Sequence, residues 1–455
     1  MELDVIVRII QQFRREYMVF SRIRNSARSK SSPLALALAL SLGTVVTATA
    51  IETPAFAQKK KKEKETQAKQ DLTPAFIEAY RAAQPNLVEG GDAATGLSQA
   101  QSLAAMATTS DEKYVAGGQL YNLATRTGDA ALRLKGMGLM LESGKVPAES
   151  VAQYNFVAGQ LAYQLEDYPR SREYVLAAIN AGYTENNPEI IVAETYFAQD
   201  QTAEGLRYLD QAIAAKEAAG EMPPSDWYRR GLAVAYKAKL NDQARDFSYR
   251  YARDYPSAES WGDAIVVLRA NAGQYSDAEI LDLVRLQRRT NTMRDARTYM
   301  EYIEAASPRR LPLEVQQVID EGYASGKLTR DDPYVTESYE LAKQRVKADE
   351  ADLPQLGREA DAASADLKTL MAAGDTYLSY GQPAKAEAYY RRALDKSGAD
   401  VELLMNRIGI AQVDQGQYAE AQQTFDRVAG ARKAIARLWS AYAAQQTGGT
   451  AAPTS

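Results

Sequence analysis

Residues 374–394 and 409–429 carry one pattern twice, at a constant offset of 35 residues. Gly374, Gly381, Ala386 and Tyr390 in the first copy are matched by Gly409, Gly416, Ala421 and Phe425 in the second. A period of about 35 residues is that of a helical hairpin, which cannot bury its apolar face alone and must stack on its neighbours. The repeat therefore predicts an all-α solenoid with an extended binding surface, and it does not name what binds. Each recurring residue suits such a hairpin. Gly374 and Gly409 stand where two helices cross closely, Gly381 and Gly416 fall at the turn, and Ala386 and Ala421 leave room for the facing helix. Tyr390 and Phe425 are expected to fill the gap to the next repeat.

The spacing through Gly374, Tyr377, Gly381, Ala386, Tyr390 and Ala393 resembles the tetratricopeptide repeat. Three departures stand out. The usual terminal Pro is replaced near Gly398, Gln412 and Val428 occupy positions where an aromatic and an Ala are common, and one residue beyond the usual period of about 34 lies within 396–400. The resemblance implies a right-handed superhelix of helical hairpins whose inner helices present a concave face to a protein or peptide ligand. On the clear pair that face is expected to carry Lys368, Met371, Asp375, Leu378, Leu403, Asn406, Ile410 and Val413. This mixed set lacks the Lys/Asn carboxylate clamp of chaperone-binding repeats.

Weaker copies of the hairpin precede the pair. Gln160, Tyr163, Tyr168 and Ala178 read as one, Tyr196, Gly205, Leu209 and Ala212 as the next. Trp227, Ala235 and Ala244 make a third copy, and Trp261, Gly273 and Ala278 a fourth. Prolines near expected helix starts punctuate these segments, and no strand pattern interrupts them. The expected organisation is a signal peptide at 1–57, a charged linker at 58–72, N-terminal helices at 73–147 and degenerate repeats at 148–345. A connecting helix or linker at 346–366 leads to two clear repeats and a capping helix at 367–446, and 447–455 forms a tail rich in Gly, Thr, Ala and Pro.

The N-terminus reads as an export signal. Arg22, Arg24, Arg28 and Lys30 precede an apolar run at 34–42, and Ala55-Phe56-Ala57 is an Ala-x-Ala cleavage site, so the mature chain should begin at Gln58 in the periplasm. The apolar stretch falls short of the roughly 20 residues of a stable membrane span. Met18 opens a more ordinary signal than Met1 does. With this signal, residues 148–446 resemble exported tetratricopeptide-repeat proteins of alphaproteobacteria, a resemblance that brings no defined activity.

Composition narrows the chemistry. The chain contains no Cys and no His, which excludes thiol and imidazole catalysis, disulfides and zinc sites of the usual ligand set. No cofactor or metal is expected. The net charge of −5 becomes −8 once the seven basic and four acidic residues before Gln58 are removed, a poor balance for binding nucleic acid. Gly136 and Gly138 lack the third Gly and preceding strand of a dinucleotide loop, and read instead as a close helix contact. Gly144-Lys145 is followed by Val146, where a phosphate loop needs Ser or Thr, so Gly144 is a helix C-cap. Carboxylates are plentiful, but no spacing selects an acid/base pair.

Tyrosine is over-represented, at 28 against 8 Phe and 3 Trp. Packing at the rim of the hairpins accounts for most of them, and a surplus would line a groove. The function expected is a non-enzymatic periplasmic scaffold for protein–protein interaction in the cell envelope. The alternative is a glycan-binding solenoid of peptidoglycan or polysaccharide export.

Overall fold

The computed structural model describes residues 70–270 and 275–447. The export signal, most of the charged linker, Gly273 and all but the first residue of the C-terminal tail lie outside them. Twenty α-helices, one short 3-10 turn and no strands occur among the described residues. They divide into two compact units, 70–221 and 222–447, each described by itself below.

The first unit holds α1 (Pro74–Leu87), α2 (Ala93–Met106), α3 (Ser110–Thr127), α4 (Ala130–Glu142), α5 (Ala148–Gln164), α6 (Tyr168–Asn180), α7 (Pro188–Phe197) and α8 (Thr202–Ala218). Consecutive helices pack as antiparallel hairpins and each hairpin stacks on the next. Several starts are written in the sequence. Thr73, Asp92, Thr109, Asp129 and Asp167 each accept a hydrogen bond from a backbone N–H of the first turn that would otherwise lack a partner. In α3 and α4, a Cβ on Gly117 or Gly136 would lie 2.7 Å from the carbonyl oxygen of the other, so these two helices cross backbone to backbone.

Glu112 ties the start of this array together. Its carboxylate is fully buried and accepts from Thr73 N at 2.7 Å, Thr73 Oγ1 at 2.6 Å, Thr108 N at 2.7 Å and Thr109 N at 3.1 Å. Burial alone would raise its pKa. Those donors outweigh burial and hold it at about 2.

The second unit holds α9 (Ser225–Lys237), α10 (Asn241–Asp254), α11 (Ala258–Ala270), α12 (Asp277–Arg289), α13 (Ala296–Ala306), α14 (Pro312–Ala324), α15 (Pro333–Asp361), α16 (Leu367–Ser379), α17 (Pro383–Leu394), α18 (Val401–Asp414), α19 (Tyr418–Phe425) and α20 (Lys433–Thr447). Helices α16/α17 and α18/α19 are the two hairpins of the clear repeat. Gly381 and Gly416 end their inner helices at φ of 67° and 74°, a left-handed backbone that glycine adopts without steric cost.

One expected boundary moves. The segment 346–366 is a connecting helix over most of its length: α15 runs unbroken through 345/346 for 29 residues, so the helix starts earlier than 346, and only 362–366 is loop. Pro354 lies inside this helix. The helix persists because its second half is packed: Gly357 and Ala360 are buried, a Cβ on Gly357 would lie 2.5 Å from the Tyr377 hydroxyl, and that hydroxyl donates to Leu353 O at 2.9 Å.

The second unit also closes on itself. Helices α10 to α20 contact one another in sequence, and α20 then packs back against α10 and α12. One apolar core spans the junction, joining Ala252, Trp261, Leu283 and Leu286 to Leu404, Ile408, Ile410, Phe425 and Trp439.

Candidate functional site

The repeat-defining residues sit in the two hairpins as their types require. A Cβ on Gly374 would run into the Tyr390 ring, and one on Gly409 into the Phe425 ring. Ala386 and Ala421 are fully buried. Tyr390 and Phe425 pack against the glycine of their own hairpin, and Phe425 also reaches the next helix, stacking on Trp439 of α20 at 6.1 Å between ring centroids.

The eight residues expected to line an open concave face divide differently. Lys368 is exposed, and Met371, Asp375 and Leu403 are half-buried. Leu378 and Val413 are buried, while Asn406 and Ile410 have no exposed surface. Residues 404–413 of α18 are buried without a break, so this helix has protein on every side. The reason is the closure: the space that an open solenoid leaves for a ligand is here filled by α12 and α20 of the same chain.

What fills it is charged as well as apolar. Arg407, at 2% exposure, pairs through Nε with Asp282 Oδ1 and through Nη1 with Asp375 Oδ1, both at 2.7 Å. Asp282 is fully buried; its Oδ2 accepts from Asn406 Nδ2 at 2.7 Å and lies 3.6 Å from Arg432 Nη1. Asp375 also accepts from the Tyr390 hydroxyl at 2.7 Å. Alongside, Arg285 grips Glu314 through Nε and Nη2, each at 2.7 Å, and the Tyr302 hydroxyl donates to the same carboxylate at 2.7 Å. Burial would push Glu314 up, but the Arg285 guanidinium more than offsets it and holds the carboxyl at about 2. Burial likewise works against the charge on Arg407, and Asp282 and Asp375 outweigh it, raising its pKa. Buried charges persist only when paired in this way, and removing one partner strands the other.

The C-terminal helix is held by directional bonds. Trp439 Nε1 donates to Asp282 O at 3.1 Å, Arg437 pairs with Asp246 at 2.9 Å, and Gln445 Nε2 donates to Ala252 O and Arg253 O at 2.8 and 3.0 Å. Arg289 pairs with Asp414 at 2.7 Å and lies 5.1 Å from the centre of the Trp439 ring. Sequence reasoning passed over Asp282, Arg285, Arg407 and Trp439 as functional positions. A signal was present, in that Arg407 interrupts a run from Val401 to Ile410 that is otherwise largely apolar, and Asp282 and Arg285 alternate with Leu281, Leu283, Val284 and Leu286.

The filling is incomplete at one end. Where α12, α16 and α18 terminate, a pocket of about 280 Å³ remains, lined by residues that include Arg285, Arg289, Tyr380 and Asp414. Leu378 is the one expected concave-face residue that reaches it. Among the described residues no cluster of three or more carboxylates is placed to hold a metal ion.

No family model and no curated protein matches this chain. Solved structures do align with it. The complex titled "Structure of Naa15/Naa10 bound to HypK-THB" contains a chain 12% identical, covering 82% of this chain and 72% of its own, with a TM-score of 0.30. The P58(IPK) TPR domain is 12% identical over 82% of this chain and 98% of its own, with a TM-score of 0.22. The yeast Tom70 structure is 10% identical over 82% and 95%, with a TM-score of 0.17. At those scores the assignment of architecture rests on the helix packing of this chain itself: paired helices, a glycine at the crossing of each clear hairpin and a period of 35 residues. The chain is a tetratricopeptide-like helical solenoid.

Proposed function

We propose that the chain is a non-enzymatic scaffold of the periplasm that binds a polypeptide partner on the hairpin array of residues 70–221. The observation that carries this reading is the placement of tyrosine. Of ten tyrosines in that unit only Tyr121 and Tyr154 are buried, while Tyr80, Tyr114, Tyr163, Tyr168, Tyr174, Tyr183, Tyr196 and Tyr208 keep part of their surface exposed. Tyrosine presents a large apolar face with a polar tip at low entropic cost, and it is enriched where proteins bind proteins. Several are already stiffened. Tyr196 lies under the Arg172 guanidinium at 4.0 Å, and Tyr163 meets Tyr168 edge to face at 5.4 Å. In the second unit the corresponding inner faces are occupied by the chain's own α12 and α20, which moves the expected partner surface away from residues 367–446. No helix among the described residues is long and apolar enough to cross a membrane.

The test uses full-length protein recovered from its native host. Its intact mass should correspond to a start at Gln58. Crosslinked partners captured by the wild-type chain should be lost when Tyr174, Tyr196 and Tyr208 are replaced together by alanine, with helical circular dichroism retained. A partner set unchanged by that triple replacement would remove the proposed surface, and a retained N-terminus would remove the proposed location.

A further inference from the structure

We propose that the pocket at the closed end of the second unit binds one neutral sugar unit, a pyranose-sized ligand carrying several hydroxyls. At about 280 Å³ the pocket sits just below the usual range for small-molecule sites, which sets the ligand's size. Its chemistry follows from three observations.

Arg285 lines the pocket, is 2% exposed, and uses Nε and Nη2 on Glu314; its buried Nη1 makes no hydrogen bond to another group of the protein. A buried donor of that kind calls for an acceptor oxygen. The second observation is charge balance. Arg285 is answered by Glu314, Arg288 by Glu321 and Arg289 by Asp414, and the Glu314 and Asp414 carboxylates themselves form part of the wall. The last residues of α12, α16 and α18, namely Arg289, Ser379 and Asp414, also line it, so three helix C-termini bring partial negative charge to the same place. An anion would meet two carboxylates and three helix ends, and a cation would meet three guanidinium groups. A neutral ligand whose hydroxyls both donate and accept meets neither conflict. Thirdly, Tyr380, Leu313 and Leu378 supply apolar wall beside these polar groups, a surface for the C–H face of a sugar ring, and Gln317 stands exposed at the rim with an amide that can donate and accept.

The site is separate from the tyrosine array of residues 70–221, so each reading stands or falls alone. The experiment is saturation-transfer NMR on the full chain with glucose, galactose and N-acetylglucosamine as probes, citrate as an anionic probe and phosphate as an unlabelled competitor. At least one sugar should receive saturation, with a dissociation constant of about millimolar, the range that roughly a dozen non-hydrogen atoms supply. Gln317→Ala, a rim replacement that leaves the ion pairs intact, and Tyr380→Ala should each weaken that binding several-fold with circular dichroism unchanged. If Tyr380→Ala loses helix, Gln317→Ala decides alone. Transfer to no sugar, transfer to citrate in place of sugar, loss of the sugar signal on adding millimolar phosphate, or sugar binding indifferent to Gln317→Ala would each overturn the proposal.

Discussion

A single methyl group decides whether two helices of this chain can meet. Gly374 faces the Tyr390 ring so closely that a Cβ has no room, and the neighbour that must yield is a buried aromatic held by Asp375. Gly374→Ala should therefore destabilise the second unit by about 1–3 kcal/mol in urea melts, and Ala386→Leu, at a fully buried position, by a similar amount. Lys385→Leu beside it is the control. Lys385 is exposed and loses only a cation–π contact, its Nζ standing 4.8 Å from the Tyr377 ring centre, so its cost should stay below about 1 kcal/mol. Position 410 is a second discriminating site. Ile410 has no exposed surface and Met371 keeps some, so Ile410→Ala should cost about 2–5 kcal/mol and Met371→Ala less. Equal costs would mean that α18 is less enclosed than described.

At the scale of the element, α20 behaves as more than a capping helix. Trp439 is fully buried, stacks on Phe425 and donates to the carbonyl of Asp282 from 157 residues away. Trp439→Ala should cost about 3–5 kcal/mol, and hydrogen exchange should show the loss of protection at α10 and α12 as well as at α19. Protection lost only next to α20 in sequence would count against the closure. The sequence made the hairpins legible because their signals are local: glycine at a crossing, glycine at a turn, alanine opposite. It left the closure illegible, and of the charged interior it showed only charged residues set among apolar ones, without their partners. Asp282, Arg285 and Arg407 are residue types that ordinarily face water, and their burial depends on partners 29 to 125 residues distant, such as Glu314, Asp375 and Arg407 itself. With no periodic trace of those partners, α18 read as a helix with one free face. Helix α15 was legible as a connecting helix, but not its length, since packing by Tyr377 carries it past Pro354.

Across the whole molecule, acid should be the agent that finds both units. Glu112 in one and Glu314 in the other have folded pKa values of about 2, against an ordinary glutamate value of about 4.3 in an unfolded chain. Between those values the unfolded chain binds more protons than the folded one, so stability rises with pH there. The contribution is complete above about pH 5 and disappears as pH falls towards 2. Melting temperature should drop from pH 5 to pH 3. Glu112→Gln should flatten the acid response of the 70–221 helices, followed by hydrogen exchange, while leaving the response of 222–447 in place. An unchanged profile in that variant would mean that Glu112 titrates normally.

The bond from Trp439 to Asp282 also orders events during synthesis. A ribosome releases α12 long before it has made α18 or α20, and until Arg407 and Arg432 have been made Asp282 has neither of them to neutralise it. Such long-separated contacts are slow to form, because the intervening chain must be brought together first. For this stretch, then, the core cannot be completed before α20 has been made. A product broken off before Arg407 is left with an unanswered carboxylate and bare apolar surface, a nascent state that chaperones and proteases can tell from the folded unit.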